Sequence, residues 1–430
     1  MRVIMKFLYA AILCLVLWQC KKSETGEIVP EPAHNADKPA LNPLPAMISA
    51  PNSLGLDVAM DNADNVYVSG SFYGTTEFGT AVGGNDVFIA KYKPNGELEW
   101  SRTLGGPKSD EGRGIAVDGS GNVYVTGDFY GTLTSGDIAI TSHGDADAFI
   151  VKYNTQGEFQ WIRAYGSDGG ERGQAIAVDM NGNAYATGEY QGTGVFGNTS
   201  KQSAGEFDAF IVKYSTDGAF EWVQSGGGAS RDTGYGITTD KRTGEVYVTG
   251  FFMGTTTFGN TSVTSKGTLP GEGDVFLAKY NSQGEFVWMK AFGGDVSSGG
   301  FDVAVDGSGN IFALKNGAPG GSLVKLDAAG NMLWEQILKF DGSGTAVDVD
   351  KSGNAYVVKL GSAILKYNSD GIIQQAQLPR SSESIIGTGI AVNPNGKLFI
   401  SGYYKGTLTY GGMARNDAGW VNMFAIGGDF

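Results

Sequence analysis

One short pattern of alternating apolar and small or polar residues occurs seven times along this chain. Its copies read VYVSG, VYVTG, AYATG, VYVTG, IFALK, AYVVK and LFISG. They are centred on Tyr67, Tyr124, Tyr185, Tyr247, Phe312, Tyr356 and Phe399. Alternation with a period of two predicts β-strands rather than helices. Because the stretch between one copy and the next leaves room for one small antiparallel sheet, the chain is predicted to be a repeat protein.

The second copy indicates how one repeat folds. Its apolar positions predict four strands, over residues 115–117, 123–129, 148–153 and 159–165. A turn of the pattern Asp-x-x-Gly-Asn joins the first two strands and recurs at Asp118, Asp179, Asp306 and Asp350. In such a turn the Asp side chain accepts backbone amides, while Gly adopts the left-handed conformation. The predicted fold is therefore all-β, a seven-bladed β-propeller of four-stranded antiparallel blades.

A tryptophan recurs in the fourth strand of five copies, always at the same distance from the end of the third strand. The five are Trp100, Trp161, Trp222, Trp288 and Trp334, and the sixth copy has Gln375 instead. Aromatic rings can stack on sugars, but a ring at the same place in nearly every copy is what packing between neighbouring sheets requires. We therefore predict that these tryptophans belong to the core.

These phrases resemble SBBP, a beta-propeller repeat of exported bacterial proteins. The resemblance is carried by GIAVDGSGNVYVTGDF, DAFIVKY and GEFQW in the second copy, and it is tightest over the first four copies. The fifth and sixth copies are shorter and depart from the pattern at Leu326 and Gln375. The resemblance implies a seven-bladed propeller outside the cytoplasm, and it implies no common activity.

The seventh copy lacks room for its fourth strand, because its tryptophan position would fall beyond Phe430, the end of the sequence. Near the other end, the spacing from a fourth-strand tryptophan to the next turn Asp is constant in copies two to five, as from Trp100 to Asp118. The same spacing counted back from Asp61 falls on Pro43. We therefore predict that residues 41–49 pair beside residues 421–426 as the outermost strand of the last blade. An N-terminal strand would then close the ring.

Residues 1–19 are predicted to be a lipoprotein-type signal peptide. Arg2 and Lys6 introduce an apolar run over residues 7–18, which is too short to span a bilayer. The sequence LWQC that ends at Cys20 resembles the lipobox of bacterial lipoproteins, although Gln19 stands where that pattern prefers a small residue. We predict lipidation of Cys20, with an ordinary cleaved signal as the alternative.

The composition restricts the partners. The net charge of −14 becomes −16 once the signal, with Arg2 and Lys6 and no acid, is removed, and an acidic surface argues against nucleic acid. Cys14 and Cys20 are the two cysteines, so no disulfide or thiolate metal site is expected in the exported part. We expect a proline-rich tether over residues 20–40 and the propeller over residues 41–430. The protein should be a monomer without cofactor or metal, held by its lipid at the outer membrane or cell surface.

Positions at which the copies differ are the candidates for a site. The connection from the second to the third strand is long in copies one to four and seven and short in copies five and six, which predicts a face walled by loops on one side only. Side chains that ring the channel on this face are predicted to bind a ligand, a polysaccharide or an envelope protein. They are Asp110, Arg113, Glu171, Gln174, Asp232, Tyr235 and Phe301.

The three acids also have a structural interpretation, in which they cap turns by accepting amides beside Gly112, Gly173 and Gly234. A binding or assembly scaffold is therefore our first hypothesis, and a polysaccharide lyase or hydrolase that uses these carboxylates is the alternative. His34 and His143 are the two histidines, which leaves no basis for a Ser-His-Asp triad or a multi-histidine metal site. No catalytic residue is predicted, His143 is interpreted as a solvated loop residue, and Trp420 is expected to pack on a neighbouring blade.

Overall fold

Each of the seven phrases forms a buried strand in the computed structural model. The structure describes residues 46–267, 271–293, 301–316, 320–339, 343–361, 363–377, 379–417 and 419–429. In the first repeat every residue of the strand Val66–Phe72 is buried. A strand inside a sheet has paired neighbours at both edges, and here sheets also cover both of its faces, so apolar and small side chains alternate without a solvent side.

Within the described residues, the main strands form seven antiparallel sheets, numbered here in chain order. From the inner to the outer strand, sheet 1 contains Ser53–Met60, Val66–Phe72, Asp86–Tyr92 and Leu98–Leu104; sheet 2 contains Glu111–Val117, Val123–Ser135, Ile138–Tyr153 and Phe159–Tyr165; sheet 3 contains Arg172–Val178, Ala184–Tyr190, Asp208–Tyr214 and Phe220–Gly228; and sheet 4 contains Asp232–Thr239, Val246–Phe252, Asp274–Tyr280 and Phe286–Phe292.

In the same order, sheet 5 contains Val303–Val305, Ile311–Lys315, Ser322–Leu326 and Met332–Ile337; sheet 6 contains Gly344–Val349, Ala355–Lys359, Ile364–Tyr367 and Ile373–Gln377; and sheet 7 contains Ser384–Val392, Lys397–Lys405, Asn422–Asp429 and Ala46–Pro51. The predicted all-β fold of four-stranded antiparallel sheets is confirmed. Sheet 3 gains two further strands, which come from a hairpin of sheet 4.

The inner strand of sheet 2 is longer than predicted. It begins at Glu111 rather than at residue 115, and a bulge between Gly112 and Gly114 shifts its register. Glycine is favoured at position 114, because a Cβ there would make a tight contact of 3.0 Å with the Cα of Ala175 on the inner strand of sheet 3. The missing side chain lets neighbouring inner strands approach each other closely.

The predicted turn chemistry is confirmed. Asp118 Oδ1 accepts the amides of Ser120 and Asn122, both at 2.9 Å, and Gly121 has a φ of 80°. The same carboxylate accepts the Asn122 side chain at 2.8 Å through Oδ2. These bonds fix the hairpin between the first two strands of the sheet.

The tryptophans contact the next sheet, as predicted. Trp100 Nε1 donates to the carbonyl of Thr155 at 3.1 Å, and the turn residue Gly157 lies against the ring, where a Cβ would be 2.8 Å from Trp100 Cδ2. Trp161 repeats the arrangement one sheet further on, with a bond of 3.1 Å to the Thr216 carbonyl. The rings therefore join consecutive sheets.

The described core consists of seven clusters of buried side chains, and each cluster joins two sheets. Six clusters join sheets that follow each other along the chain. The seventh joins Val66 and Phe88 of sheet 1 to Phe399 and Met423 of sheet 7. The first and last sheets are thus neighbours that share a core of their own.

An N-terminal segment pairs with the last strand, as predicted. Ala46–Pro51 runs antiparallel to Asn422–Asp429, with partners from Ala46 opposite Gly427 to Pro51 opposite Asn422. Met47, Ile48 and Ala50 are buried in this strand. The strand continues past the predicted end at residue 49, and residues 41–45 lie outside the described residues.

All described residues belong to one compact unit that spans Asn42–Phe430. No helix in the described part of the chain has the length and apolarity needed to cross a membrane. The predicted signal peptide, the tether and Cys20 lie outside the described residues.

Candidate ligand-binding face

The long connections on the predicted binding face are β-hairpins. Those of sheets 3 and 4 are Thr193–Phe196 with Thr199–Gln202, and Thr255–Phe258 with Thr261–Thr264. Phe196 and Phe258 are fully buried, and the ring centroids of Phe258 and Phe276 are 4.5 Å apart. Residues 256–258 also pair with residues 226–228 of the preceding sheet. The sequence predicts loops for these segments, but their arms are paired strands. Each hairpin buries an aromatic side chain and pairs with the preceding sheet.

The connections of sheets 5 and 6 are short, as predicted. Residues 316–321 join the second and third strands of sheet 5, and residues 360–363 join those of sheet 6. Within the described residues, the face therefore carries hairpins over sheets 1 to 4 and 7 only. Phe301, at the inner edge of sheet 5, is 42% exposed.

The three predicted acids are fully buried, with 0% exposure. Each accepts a backbone amide from the turn before it or from the connection after it. The donors are Tyr130 for Asp110, at 3.1 Å, Ser167 for Glu171, at 2.8 Å, and Gly228 for Asp232, at 2.9 Å. The acids therefore cap backbone segments, and the amides differ from those beside Gly112, Gly173 and Gly234. Each acid lies at its own interface between sheets.

Burial has a common electrostatic effect on these acids. It raises the pKa of Asp110, Glu171 and Asp232 to about 7, because a carboxylate without water around it is less stable in its charged form. Neighbouring carboxylates add to the effect, since the charge of Asp86 raises the pKa of Asp110 and that of Asp208 raises the pKa of Asp232.

The other predicted residues lie where the inner strands begin, at the end of the sheets that carries the hairpins, here called the channel mouth, and they are partly accessible. Arg113, Gln174 and Tyr235 are half-buried, on the inner strands of sheets 2, 3 and 4. The rings of Tyr235 and Phe301 stack, with centroids 5.4 Å apart and an interplanar angle of 29°. The structure thus brings these two aromatic residues together, with Phe301 the more exposed of the two.

Arg113 is held by two acids of its own sheet. Its guanidinium contacts Asp128 through Nε and pairs with Glu111 at 2.7 Å through Nη2. Burial acts to lower the pKa of Arg113, but the charges of Asp128 and Glu111 outweigh it and raise the pKa well above the usual value. The cation is therefore fixed in place and compensated.

Glu189 is the centre of a second ion-pair group, which the sequence did not reveal. Its carboxylate has no exposed surface and accepts Arg231 Nε at 2.8 Å and Arg172 Nη1 at 3.2 Å. It also accepts the hydroxyl of Thr233 at 2.7 Å. Since Arg172 is on sheet 3 and Thr233 is on sheet 4, this group ties the two sheets together at the mouth. One signal was available, namely an acid inside an otherwise apolar strand phrase, ATGEY.

A cavity of about 800 Å³ lies between sheets 2 and 3 on the hairpin face. His143, Ser167 and Gln191 line it. The interpretation of His143 as a solvated loop residue is incomplete, because its ring nitrogen Nδ1 lies 3.3 Å from Asp147 Oδ2 while 78% of its side chain is exposed. Two polar side chains of this cavity are thus oriented by buried acids, since Ser167 also donates to Glu171.

A second cavity, of about 430 Å³, opens at the opposite end of the channel. It lies among the inner-strand ends of sheets 1, 2 and 4 to 7, and Lys241, Lys351 and Asp348 are among its lining residues. The charge of Lys241 acts to lower the pKa of Asp348, whereas burial, the larger cause, raises it to about 6. Sequence reasoning missed this site, although the variant turn DKRTGE of sheet 4 marked it.

Trp420 is exposed rather than packed on a neighbouring sheet. Its exposure is 67%, and Lys405 Nζ lies 4.2 Å above its ring. The expectation of packing is therefore wrong, because the cation of Lys405 takes the place of an apolar neighbour.

The arrangement of the sheets is that of a β-propeller. Similar solved structures are Raptor from Chaetomium thermophilum, with a TM-score of 0.53, 11% identity and coverage of 90% of this chain and 29% of that chain, and a chain of the mitotic checkpoint complex, with a TM-score of 0.52, 10% identity and coverage of 92% and 98%. At such identities the likeness concerns the fold alone.

Residues 99–128 match the beta-propeller repeat SBBP, which confirms the resemblance in the second repeat. The chain is also similar to an uncharacterized WD repeat-containing protein of Acanthamoeba polyphaga mimivirus, with 27% identity over 244 residues. That match covers 48% of this chain and 18% of the viral protein. The chain therefore has one stretch that matches the SBBP repeat, and it spans less than a fifth of the length of this relative.

Proposed function

We propose that the chain is a closed, seven-bladed β-propeller that serves as a binding or assembly scaffold outside the cytoplasm. Closure is supported by the contacts between sheets 7 and 1. The Thr388 hydroxyl donates to the Gly55 carbonyl at 2.8 Å, and Lys397 Nζ pairs with Asp64 at 3.1 Å. With six further clusters joining consecutive sheets, each sheet has two neighbours, as a ring requires.

The observation that carries the binding role is the stacked pair Tyr235 and Phe301 at the channel mouth. An aromatic ring that is 42% exposed beside half-buried polar groups is typical of a recognition surface. Gln174 and Arg113 add an amide and a guanidinium on the neighbouring inner strands. Rings stack on sugars or on apolar parts of a peptide, while the polar groups fix orientation.

The mouth favours a ligand that is polar without a strong net charge. The three arginines 113, 172 and 231 are opposed by the three acids 111, 128 and 189, so the described ion pairs are balanced. The capping acids Asp110, Glu171 and Asp232 lie beneath the surface and support it from below. We infer that the ligand is a polysaccharide or a segment of an envelope protein.

A screen of the purified protein against polysaccharides and envelope extracts tests this function, with binding and turnover both measured. Exchanging Tyr235 and Phe301 for Ala should weaken binding of any ligand found by at least about tenfold, the size of a modest hot-spot effect. Met180→Ala is the matched control, because Met180 is 73% exposed on the turn between the first two strands of sheet 3, at the opposite end of the channel. Unchanged affinity in the double variant would reject the proposed site.

The location is a proposal of its own, in which the chain is exported and anchored by a lipid on Cys20 at the outer membrane or cell surface. Support comes from the apolar run that ends at that cysteine. The Cys20→Ser protein should leave the membrane fraction or remain unprocessed. Membrane association of this variant at its normal mature size would exclude lipidation.

A further inference from the structure

Two pairs of buried carboxylates occupy equivalent positions in the repeats. Asp86 and Asp110 lie between sheets 1 and 2, and Asp208 and Asp232 lie between sheets 3 and 4. Their exposures are between 0% and 4%. Asp86 and Asp208 each begin the third strand of their sheet. Asp110 precedes the inner strand of sheet 2, and Asp232 begins the inner strand of sheet 4.

Each of these carboxylates has one oxygen without a hydrogen-bond partner. The four atoms are Asp86 Oδ1, Asp110 Oδ2, Asp208 Oδ1 and Asp232 Oδ1. The second oxygen of each accepts an amide, at 3.1 Å in Asp110 and at 2.9 to 3.0 Å in the other three. Two donors lie near these oxygens and act to lower the pKa of the acids, the Gly106 amide beside Asp110 and the Thr256 hydroxyl beside Asp232, but neither makes a hydrogen bond of normal geometry to the unpaired oxygen. An unpaired buried carboxylate oxygen is costly, and two adjacent carboxylates repel each other.

The backbone next to each pair is glycine. A Cβ on Gly105 would lie 2.0 Å from Asp86 Cγ, and one on Gly227 would lie 2.3 Å from Asp208 Cγ. The carboxylates thus lie directly against the chain. Backbone carbonyl oxygens lie against the following glycines. A Cβ on Gly106 would be 1.9 Å from the Thr132 oxygen, and a Cβ on Gly228 would be 1.9 Å from the Thr255 oxygen. The surroundings therefore supply oxygen atoms and no side-chain cation among the described contacts.

Two other interfaces show which other groups the chain places at the same positions. Between sheets 2 and 3 the pair is Asp147 and Glu171, and there Ser167 donates to Glu171 while the His143 ring and amide contact Asp147 at 3.2 to 3.3 Å. Between sheets 7 and 1 the corresponding residues are the uncharged Asn422 and Ser53; Asn422 Oδ1 is also without a hydrogen-bond partner, but it carries no charge. The Asp86 and Asp208 pairs have neither the added donors nor the neutral residues.

We propose that each of these two carboxylate pairs binds one divalent cation of the calcium type, which links the neighbouring sheets. The donor set is all oxygen, with two negative charges per ion, and such sets are preferred by Ca²⁺ over softer metals. Clusters of three or more acidic, His or Cys side chains suited to a metal are absent from the described residues. With two acids at each site, further ligands would have to come from water and from neighbouring oxygens such as the carbonyls of Thr132 and Thr255 and the Thr256 hydroxyl.

Calorimetric titration of the chelator-treated protein with Ca²⁺ at fixed ionic strength tests the proposal. The protein should take up about two ions and melt at a higher temperature with Ca²⁺ than with chelator. Asp110→Asn and Asp232→Asn should each remove about one ion, and the double variant should lose the shift in melting temperature. Glu171→Gln is the matched control and should keep both ions, because its interface has its own donors.

If a variant fails to fold, Ca²⁺ uptake and the melting temperature of the wild-type protein still test the proposal. Absence of Ca²⁺ uptake together with an unchanged melting temperature in millimolar Ca²⁺ would overturn the proposal. Stability that falls with rising pH and ignores Ca²⁺ would instead mean that each pair shares a proton. Uptake that persists in the double variant would place the ions elsewhere and also reject the assignment. These outcomes do not depend on the ligand proposed for the channel mouth.

Discussion

The interface between sheets 3 and 4 and the interface between sheets 5 and 6 use equivalent strands in different ways. At the first, a hairpin crosses from sheet 4 to sheet 3, Phe258 is buried under it, and Asp208 and Asp232 lie in the interior. At the second, the cluster contains Leu314, Leu323, Leu338 and Leu365. No described hairpin crosses there. One interface is closed by an added segment over a pair of buried acids, whereas the other is closed mainly by leucines, with the acid Asp302 at its inner edge.

This difference indicates that the connections between strands, rather than the strands themselves, determine which side chains lie between two sheets. The strand phrase recurs at both places, so it fixes the sheet but not what lies between sheets. The connections vary, and with them vary the buried acids and the exposed groups. A repeat scaffold can thus keep its fold while the segments between strands acquire polar sites.

Sheet 7 is the extreme case of a sheet completed by an added segment, because Ala46–Pro51 comes from far away in the chain. Deleting residues 46–51 should lower the free energy of unfolding by about 5 kcal/mol or more, since Ile48 and Met47 lose their burial and Asn422–Asp429 becomes an open edge. Urea unfolding followed by tryptophan fluorescence measures the loss. Deleting residues 24–34 is the control and should change little; equal losses would contradict the role of the strand.

The closure by the hairpin can be broken at Phe258. Phe258→Ala should cost about 3 to 5 kcal/mol, because it leaves a cavity between Phe276 and the glycines at 226–228. Phe258→Leu, which keeps most of the volume, should cost clearly less in the same urea experiment. A loss below about 1 kcal/mol for the Ala variant would show that the hairpin is not needed to close this interface.

Buried acids at both interfaces should make stability depend on pH. Burial raises the pKa of Asp232 to about 7 and that of Asp302, whose carboxylate accepts the amides of Val303 and Val347, to about 8. A pKa raised above the ordinary value of 3.8 means that the folded state holds the proton more tightly. The resulting stabilisation is present at low pH and is lost as the pH rises through 7 and 8.

Unfolding free energies measured in chelator from pH 5 to 9 should therefore fall by about 1 kcal/mol or more. Asp232→Asn should flatten the part of the curve near pH 7, and Asp302→Asn the part near pH 8, which distinguishes the two interfaces. Stability that is constant or rises over this range would contradict the assigned protonation.

The smallest effect is expected on the outer surface of sheet 5. Leu333 is 52% exposed, so Leu333→Ser should change the free energy of unfolding by less than about 0.5 kcal/mol. Leu323→Ala, a fully buried neighbour in the same sheet, should cost about 2 to 5 kcal/mol in the same assay. Similar losses for the two variants would mean that the outer strand is covered in solution.

The strands, the turns and the pairing of the N-terminal segment could be predicted because each depends on local spacing. The constant spacing between a tryptophan and the next turn Asp, for example, located the segment before Asp61. The hairpin arms and the burial of Asp110 could not be predicted, because they depend on which sheet lies beside which. Phe258 can be buried because Gly226 of sheet 3 leaves room for it, since a Cβ there would lie 2.2 Å from Phe258 Cδ1. That contact joins segments from two different repeats.

The positions of the candidate site residues, though not a binding role, could be predicted in part for the same reason. Arg113, Gln174, Tyr235 and Phe301 follow from counting along equivalent repeats, and the structure places them at the mouth. The partners of Glu189 come from two neighbouring sheets, and no spacing within one repeat contains that information.

The pairing of Ala46–Pro51 with Asn422–Asp429 has a consequence for the order of events during synthesis. The first described strand is completed by the last one, so it must wait unpaired until nearly all of the chain between them has been produced. The seventh sheet cannot exist in a partly made chain, and a prematurely ended chain keeps an unsatisfied strand at each end. The last sheet therefore forms after the others, once both of its terminal strands are available.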